Sequence, residues 1–227
     1  MTKGYNFKFQ HHILMIIGIA LFVFSGCKNK PEHIFLPSDF KDVMLFDTGS
    51  YWIYKEVGGF EEDSIRVIKN DEITTNIGSN ERKPTYIKHE FISQYNGLNT
   101  KYSQRSTSIA LILLSTTPTD ASENATIIAR ESSSGLLTDI LIYPFQKGLI
   151  HRNSDFNEDE RIDSILAELL VGNVKYNNVI KYYSPHSYFF FNQPTFNYFV
   201  HGIGIVRIDY LKSGEIWELQ RYRVELL

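Results

Sequence analysis

Read for the alternation of apolar and polar side chains, most of the chain from Asp47 onward has the two-residue period of strands broken by tight turns. Tyr51–Val57 and Asp63–Lys69 flank Gly58-Gly59, and Ile87–Tyr95 and Leu98–Gln104 flank Asn96-Gly97. Asn-Gly between two such runs predicts a hairpin. Gly172-Asn173 and Lys212-Ser213-Gly214 predict two more, residues 115–124 a polar loop, and Ser132-Ser133-Ser134-Gly135 another break. Pro37-Ser38-Asp39 can open a brief helical turn before Phe46.

One segment satisfies two periods. Ile162, Ile165, Leu166, Leu169 and Leu170 share a helix face, whereas Ile165, Ala167, Leu169 and Val171 share a strand face. A helix would have to stop abruptly at Gly172-Asn173, so a strand is expected. A dozen or so antiparallel strands must close, curl or stack to hide their edges. The expected fold is therefore all-β, a single domain with a curved or half-barrel sheet, the alternative being a two-layer sandwich. No repeat of 20–50 residues suggests a propeller or solenoid.

The opening segment has a different pattern. Lys3 and Lys8 precede an uncharged, apolar run from Ile13 to Phe24, followed by Ser25-Gly26-Cys27. A positive start, a short apolar run and small residues at the cut site define a secretory signal peptide over residues 1–26. The run is short of the roughly 20 residues that span hydrocarbon. Cysteine directly after Ser-Gly resembles a lipobox, with Phe24 where Leu or Val is usual. Cys27 is the single cysteine, so no disulfide forms within the chain, and its expected role is lipidation. One acyl chain holds only marginally, so the resemblance implies several chains, palmitate among them, on Cys27. Residues 27–45 then read as a lipid-anchored tether and lead-in, and residues 46–227 as the β-rich domain. Lys28 rather than Asp follows the cysteine, which by resemblance to known sorting rules implies the outer membrane, and no acidic run follows, so a periplasm-facing domain is expected.

Three stretches resemble a large group of uncharacterised exported lipoproteins of Gram-negative bacteria: Phe46 to Tyr54 with Asp63-Ser64-Ile65 behind it, Val171 to Val179, and Gly202 to Val206 leading to Trp217-Glu218-Leu219. Some members look related to curved half-barrels such as the lipoprotein carriers LolA and LolB. The resemblance implies a fold and an address, and carries over no catalytic residue.

Charge narrows the partners. Of the 23 basic side chains, two lie in residues 1–26, which hold no acid, leaving 21 against 26 acidic ones and a net charge of −5. That disfavours nucleic acid, which needs clustered Lys and Arg. Gly202-x-Gly204 lacks the third glycine and the following helix of a dinucleotide fingerprint, and reads instead as a bulge or close strand approach. Ser38-x-x-Lys41 lacks the companion motifs of a serine acylase. No nucleophile elbow, metalloprotease pair or phosphate loop occurs, so a non-enzymatic protein is expected, with a hydrolase site assembled from distant residues the least supported class.

Two stretches carry candidate chemistry. Asp155, Asn157, Asp159 and Asp163 sit at positions 1, 3, 5 and 9 of a loop resembling a calcium-binding one, although Glu160 replaces its turn glycine and Leu166 its last acidic ligand. Calcium there would be weak and structural, and the bland reading is a solvated acidic loop; no other cofactor is expected. Tyr182 to His201 holds nine aromatics, with Pro185 and Pro194 against one continuous strand. Consecutive Phe189, Phe190 and Phe191 alternate in direction and need cover on both faces. Tyr188, Phe189, Phe190, Phe191, Phe196 and Tyr198 are thus the expected surface for an apolar ligand or envelope partner protein, with core packing as the competing role. The functional expectation is a membrane-tethered binding or assembly module, the alternative a purely structural envelope lipoprotein.

Overall fold

The computed structural model describes residues 31–77, 86–97, 110–116, 126–129, 139–142, 144–153, 158–187 and 193–225. The alternating segments form strands β1 (Glu32–Ile34), β2 (Tyr51–Glu56), β3 (Glu62–Ile77), β4 (Tyr86–Gly97), β5 (Ala110–Thr116), β6 (Thr126–Ala129), β7 (Asp139–Ile142), β8 (Ile150–Asn153), β9 (Glu158–Val171), β10 (Val174–Ser187), β11 (Gln193–Val200), β12 (Gly204–Tyr210) and β13 (Ile216–Arg223). Among the described residues one helix, α1 (Ser38–Met44), precedes β2. The strands make one sheet in the order β7-β6-β5-β4-β3-β2-β13-β12-β11-β10-β9-β8, with β1 added in parallel to the start of β4. Every other pairing is antiparallel, and the last strand closes on β2, joining the two halves of the chain. The protein is all-β, a single curled half-barrel sheet.

The curl is visible in what α1 touches. Lys41 Nζ lies 5.1 Å from the Phe91 ring centroid on β4, and the Asp42 carbonyl accepts from Gly202 N, beside the start of β12, at 2.6 Å. Those strands are four positions apart, about 19 Å along a flat sheet. A helix of seven residues is only about 10 Å long, so the sheet must bend around it. At the far ends of the order, β7 likewise comes to lie beside β9 and β10.

The lead-in fills the inner curve. Leu36, Phe40, Val43, Leu45 and Phe46 are buried among Trp52, Tyr54, Val206, Ile208 and Trp217. Phe40 and Val43 are fully covered, each contributing roughly 1.5–3 kcal/mol by burial. The boundary expected between residues 45 and 46 therefore runs through the core rather than between a tether and a domain. Gly204, at φ 89, shows why Gly202-x-Gly204 is a close approach: an added Cβ would lie 3.2 Å from two ring carbons of Phe46.

Two turn expectations have opposite outcomes. Gly172, at φ 55, takes the first central position of the β9–β10 hairpin, where a type II′ turn needs a positive φ. Asn96-Gly97 is not a turn: these residues pair with Arg66 and Ile65 of the long β3, and the next described strand meets β4 through Tyr95↔Ala110. Residues 98–104, expected as the return strand, lie outside the described residues. Pairing with an extended neighbour outweighs the local turn preference.

The contested segment is strand β9. Leu169 and Val171 point inward as expected, but Ile165 is 43% exposed and Leu166 packs against the core instead. The face switches opposite Asn178, whose φ of 53 interrupts β10. Asp163 is an extra residue between the pairs Ile162↔Tyr182 and Ser164↔Lys181. With these two irregularities the far half of the hairpin, which β11 does not accompany beyond Ile180, bends across to β13. There Gly172 N donates to Glu218 Oε2 at 3.0 Å.

Candidate functional site

Alternation along β10, β11 and β12 sends Tyr182, Thr195, Asn197 and Ile208 into the core and their neighbours to the opposite face. Register then lines those neighbours up in two rows. One runs Arg161–Tyr183–Phe196–Asp209 across β9 to β12. The other runs Lys181–Tyr198–Arg207–Glu218–Lys55 across β10 to β2.

Each ring in these rows carries a cation. Arg161 Cζ stands 4.0 Å from the Tyr183 centroid, Lys181 Nζ 3.8 Å from that of Phe196, and Arg207 Cζ 5.5 Å from that of Tyr198. Tyr183 and Phe196 meet edge to face at 5.6 Å. The cations are balanced in turn: Lys181 Nζ is 3.1 Å from Asp163, Arg207 Nε 2.7 Å from Asp209, and Arg207 Nη1 3.4 Å from Glu218. Tyr198 donates its hydroxyl to Asp209 at 2.8 Å. Burial, then the hydrogen bond to Asp209 and its charge, raise the Tyr198 hydroxyl well above the ordinary phenol range. Burial works against the charge on Arg207, but Asp209 outweighs it and the guanidinium is raised above its usual value. The result is a preorganised array of flat rings and fixed charges of both signs, partly open to solvent at Arg161, Tyr183 and Phe196.

This face includes two of the six expected surface residues. Phe196 is half-buried beneath Lys181, whereas Tyr198, 7% exposed, belongs to the hydrophobic core cluster, the role that competed with a surface one. Tyr188, Phe189, Phe190 and Phe191 lie outside the described residues, between the paired Ser187 and Gln193. Pro185 sits within β10 where the register shifts between Ser184 and Ser187, a bulge being where a sheet tolerates proline. Tyr183 is one of the nine aromatics between Tyr182 and His201, but Arg161, Lys181, Arg207 and Asp209 belong to no motif; period-two alternation is their one signal, and it does not say which strands are neighbours.

The calcium expectation is not gathered into a site. Asp155 and Asn157 lie outside the described residues. Asp159 and Asp163 stand four residues apart on the extended β9, about 13 Å along a strand, too far to share one ion, and Asp163 faces Lys181. Glu160, where the loop would need glycine, turns inward, 2% exposed, and accepts from Tyr182 at 2.5 Å. Among the described residues no group of three or more His, Cys, Asp or Glu is placed to hold a metal.

No family model matches this chain, and no curated protein or solved structure is significantly similar to it. The site therefore has to be read from its own residues. Cys27 lies outside the described residues. Among those described, no helix is long and apolar enough to cross a membrane.

A buried polar group occupies the inner face near the same strands: Ser184 pairs with Thr195, both covered, and Asn197 donates to Thr195 Oγ1 at 3.1 Å. With Glu160 and Tyr182 it lies where β9, β10 and β11 run side by side, and it orders the strands that present the outer rows.

Proposed function

We propose that this chain is an envelope lipoprotein, held by acyl chains on Cys27, whose half-barrel docks a partner protein through the outer row that holds Arg161, Tyr183 and Phe196. The observation that carries the reading is the division of the two faces. The inner curve, where a half-barrel carrier would hold an apolar ligand, contains the chain's own Phe40, Val43 and Phe46. The outer face instead presents Tyr183, Phe196 and Arg161 partly open to solvent, residue types enriched at protein interfaces.

The anchor is supported by the sequence and by the position of the first described strand. Cys27 follows a signal peptide, and β1 starts at Glu32. The five Cα–Cα steps from Cys27 to Glu32 reach at most about 18 Å, so an acylated Cys27 would keep the domain against its membrane, in this reading the periplasmic side of the outer membrane. The non-enzymatic part of the proposal rests on the absence of catalytic motifs in the sequence.

Cell fractionation of Cys27→Ser tests the anchor: the protein should leave the membrane fraction or remain unprocessed, and normal cleavage with full membrane retention would refute lipidation. A photo-crosslinking residue at position 183 tests the surface. It should trap one reproducible protein that the same probe at exposed Thr75 does not trap. Trapping of no protein at position 183 favours a purely structural role.

A further inference from the structure

A chain of three side chains ties the first strand to the sheet. Glu72 Oε1 on β3 lies 2.7 Å from His89 Nδ1 on β4, and His89 Nε2 lies 2.9 Å from His33 Nδ1 on β1. An ionised carboxylate only accepts, so Glu72 keeps the proton of a neutral His89 on Nδ1 and leaves a lone pair at Nε2. Phe35 stacks on the His89 ring at 4.1 Å, and the His89 side chain is 14% exposed. One imidazole is thus clamped, with its lone pair aimed at a ring nitrogen of an exposed second imidazole.

We propose that a zinc ion takes the place of the proton shared between His89 Nε2 and His33 Nδ1. Zinc binds imidazole nitrogen at about 2.0–2.1 Å in tetrahedral geometry, which sets the two nitrogens about 3.3 Å apart. The gap of 2.9 Å has to open by only about 0.4 Å, and His33 is itself exposed, on a strand of three residues. His33 moves its proton from Nδ1 to its outward nitrogen, so two neutral rings bind without net proton release. Water fills the remaining two positions. Glu72 then orients the ligand from behind, the carboxylate–histidine–metal arrangement that recurs at zinc sites. Two imidazoles select zinc-like ions over magnesium or calcium. Binding cross-links residues 56 apart in sequence and pins β1, with the lead-in that fills the inner curve, onto β4.

The test is isothermal titration of zinc chloride into the full chain carrying His11→Ala, His12→Ala and Cys27→Ser, which removes the soft donors of the N-terminal segment. One equivalent should bind at neutral pH, and magnesium should give no heat. His33→Ala and His89→Ala should each abolish binding, and Glu72→Gln should weaken it about tenfold or more. X-ray absorption of the zinc-loaded protein should show two imidazole nitrogens, a readout independent of whether a variant folds. Absence of stoichiometric heat, retention of binding in both histidine variants, or a different nitrogen count would overturn the site.

Discussion

Tyr182 donates its hydroxyl to Glu160 Oε2 at 2.5 Å across β10 and β9, inside a core where the two residues are 3% and 2% exposed. A carboxylate out of water depends on such donors. Tyr182→Phe keeps the ring and removes this donor, which should destabilise the fold by about 1–3 kcal/mol. Urea unfolding measures this, and a loss under about 0.5 kcal/mol would mean that other partners satisfy Glu160 without it.

Tyr198 gives a pH signature. Its hydroxyl is raised above the unfolded value of 10.0 by burial first and by Asp209 second. Above that value the unfolded chain releases the proton while the folded chain retains it. The stabilisation is therefore complete below pH 10.0 and is lost as pH rises beyond it. Tyr198→Phe should flatten the decline in unfolding free energy above that pH, even though it loses the bond to Asp209. Equal slopes in the two proteins would contradict the assignment.

Gly204→Ala and Gly49→Ala separate two costs. Both glycines have positive φ, 89 and 98, and an alanine there is strained by about 1–3 kcal/mol. Only at Gly204 does the new methyl meet the Phe46 ring, at 3.2 Å. The Gly204 variant should melt at a clearly lower temperature than the Gly49 variant. Equal melting points would show that Phe46 gives way easily.

Glu218 joins the hairpin to the sheet, accepting from Gly172 N and facing Arg207. Glu218→Ala should speed hydrogen exchange at the Gly172 amide while leaving β12 amides protected, because the tip opens locally before the sheet does. Unchanged exchange at Gly172 would mean that the buried Val171, Tyr176 and Val179 hold the hairpin unaided.

Much of the fold was legible. Alternation identified β2 and the start of β3, the Gly172-Asn173 turn decided β9 between two periods, and the pairing Val171↔Val174 around it follows from local turn chemistry. Asn96-Gly97 departs from its local turn preference for a reason outside its neighbourhood: β3 is long enough to carry the ladder through both residues. The same applies to the candidate site. Phe196 and Tyr198 stood out as part of an aromatic run, but Arg161, Lys181 and Arg207 did not, because a cation over a ring is made by register between strands and leaves no spacing in the sequence.

The sequence by itself determined the class of the molecule, an alternating all-β domain, because period-two burial and turn residues act over a few positions. Tertiary structure alone decided the rest. Helix α1 reaches Phe91 and Gly202 only because the sheet curls around it, and His33 meets His89 only because β1 adds in parallel to β4. Glu160 became a core residue rather than a loop position because β9 extends through it to pair with β8 and lie beside β10. In each case the deciding contact joins strands distant along the chain, and its free energy exceeds the local preference that the sequence displays.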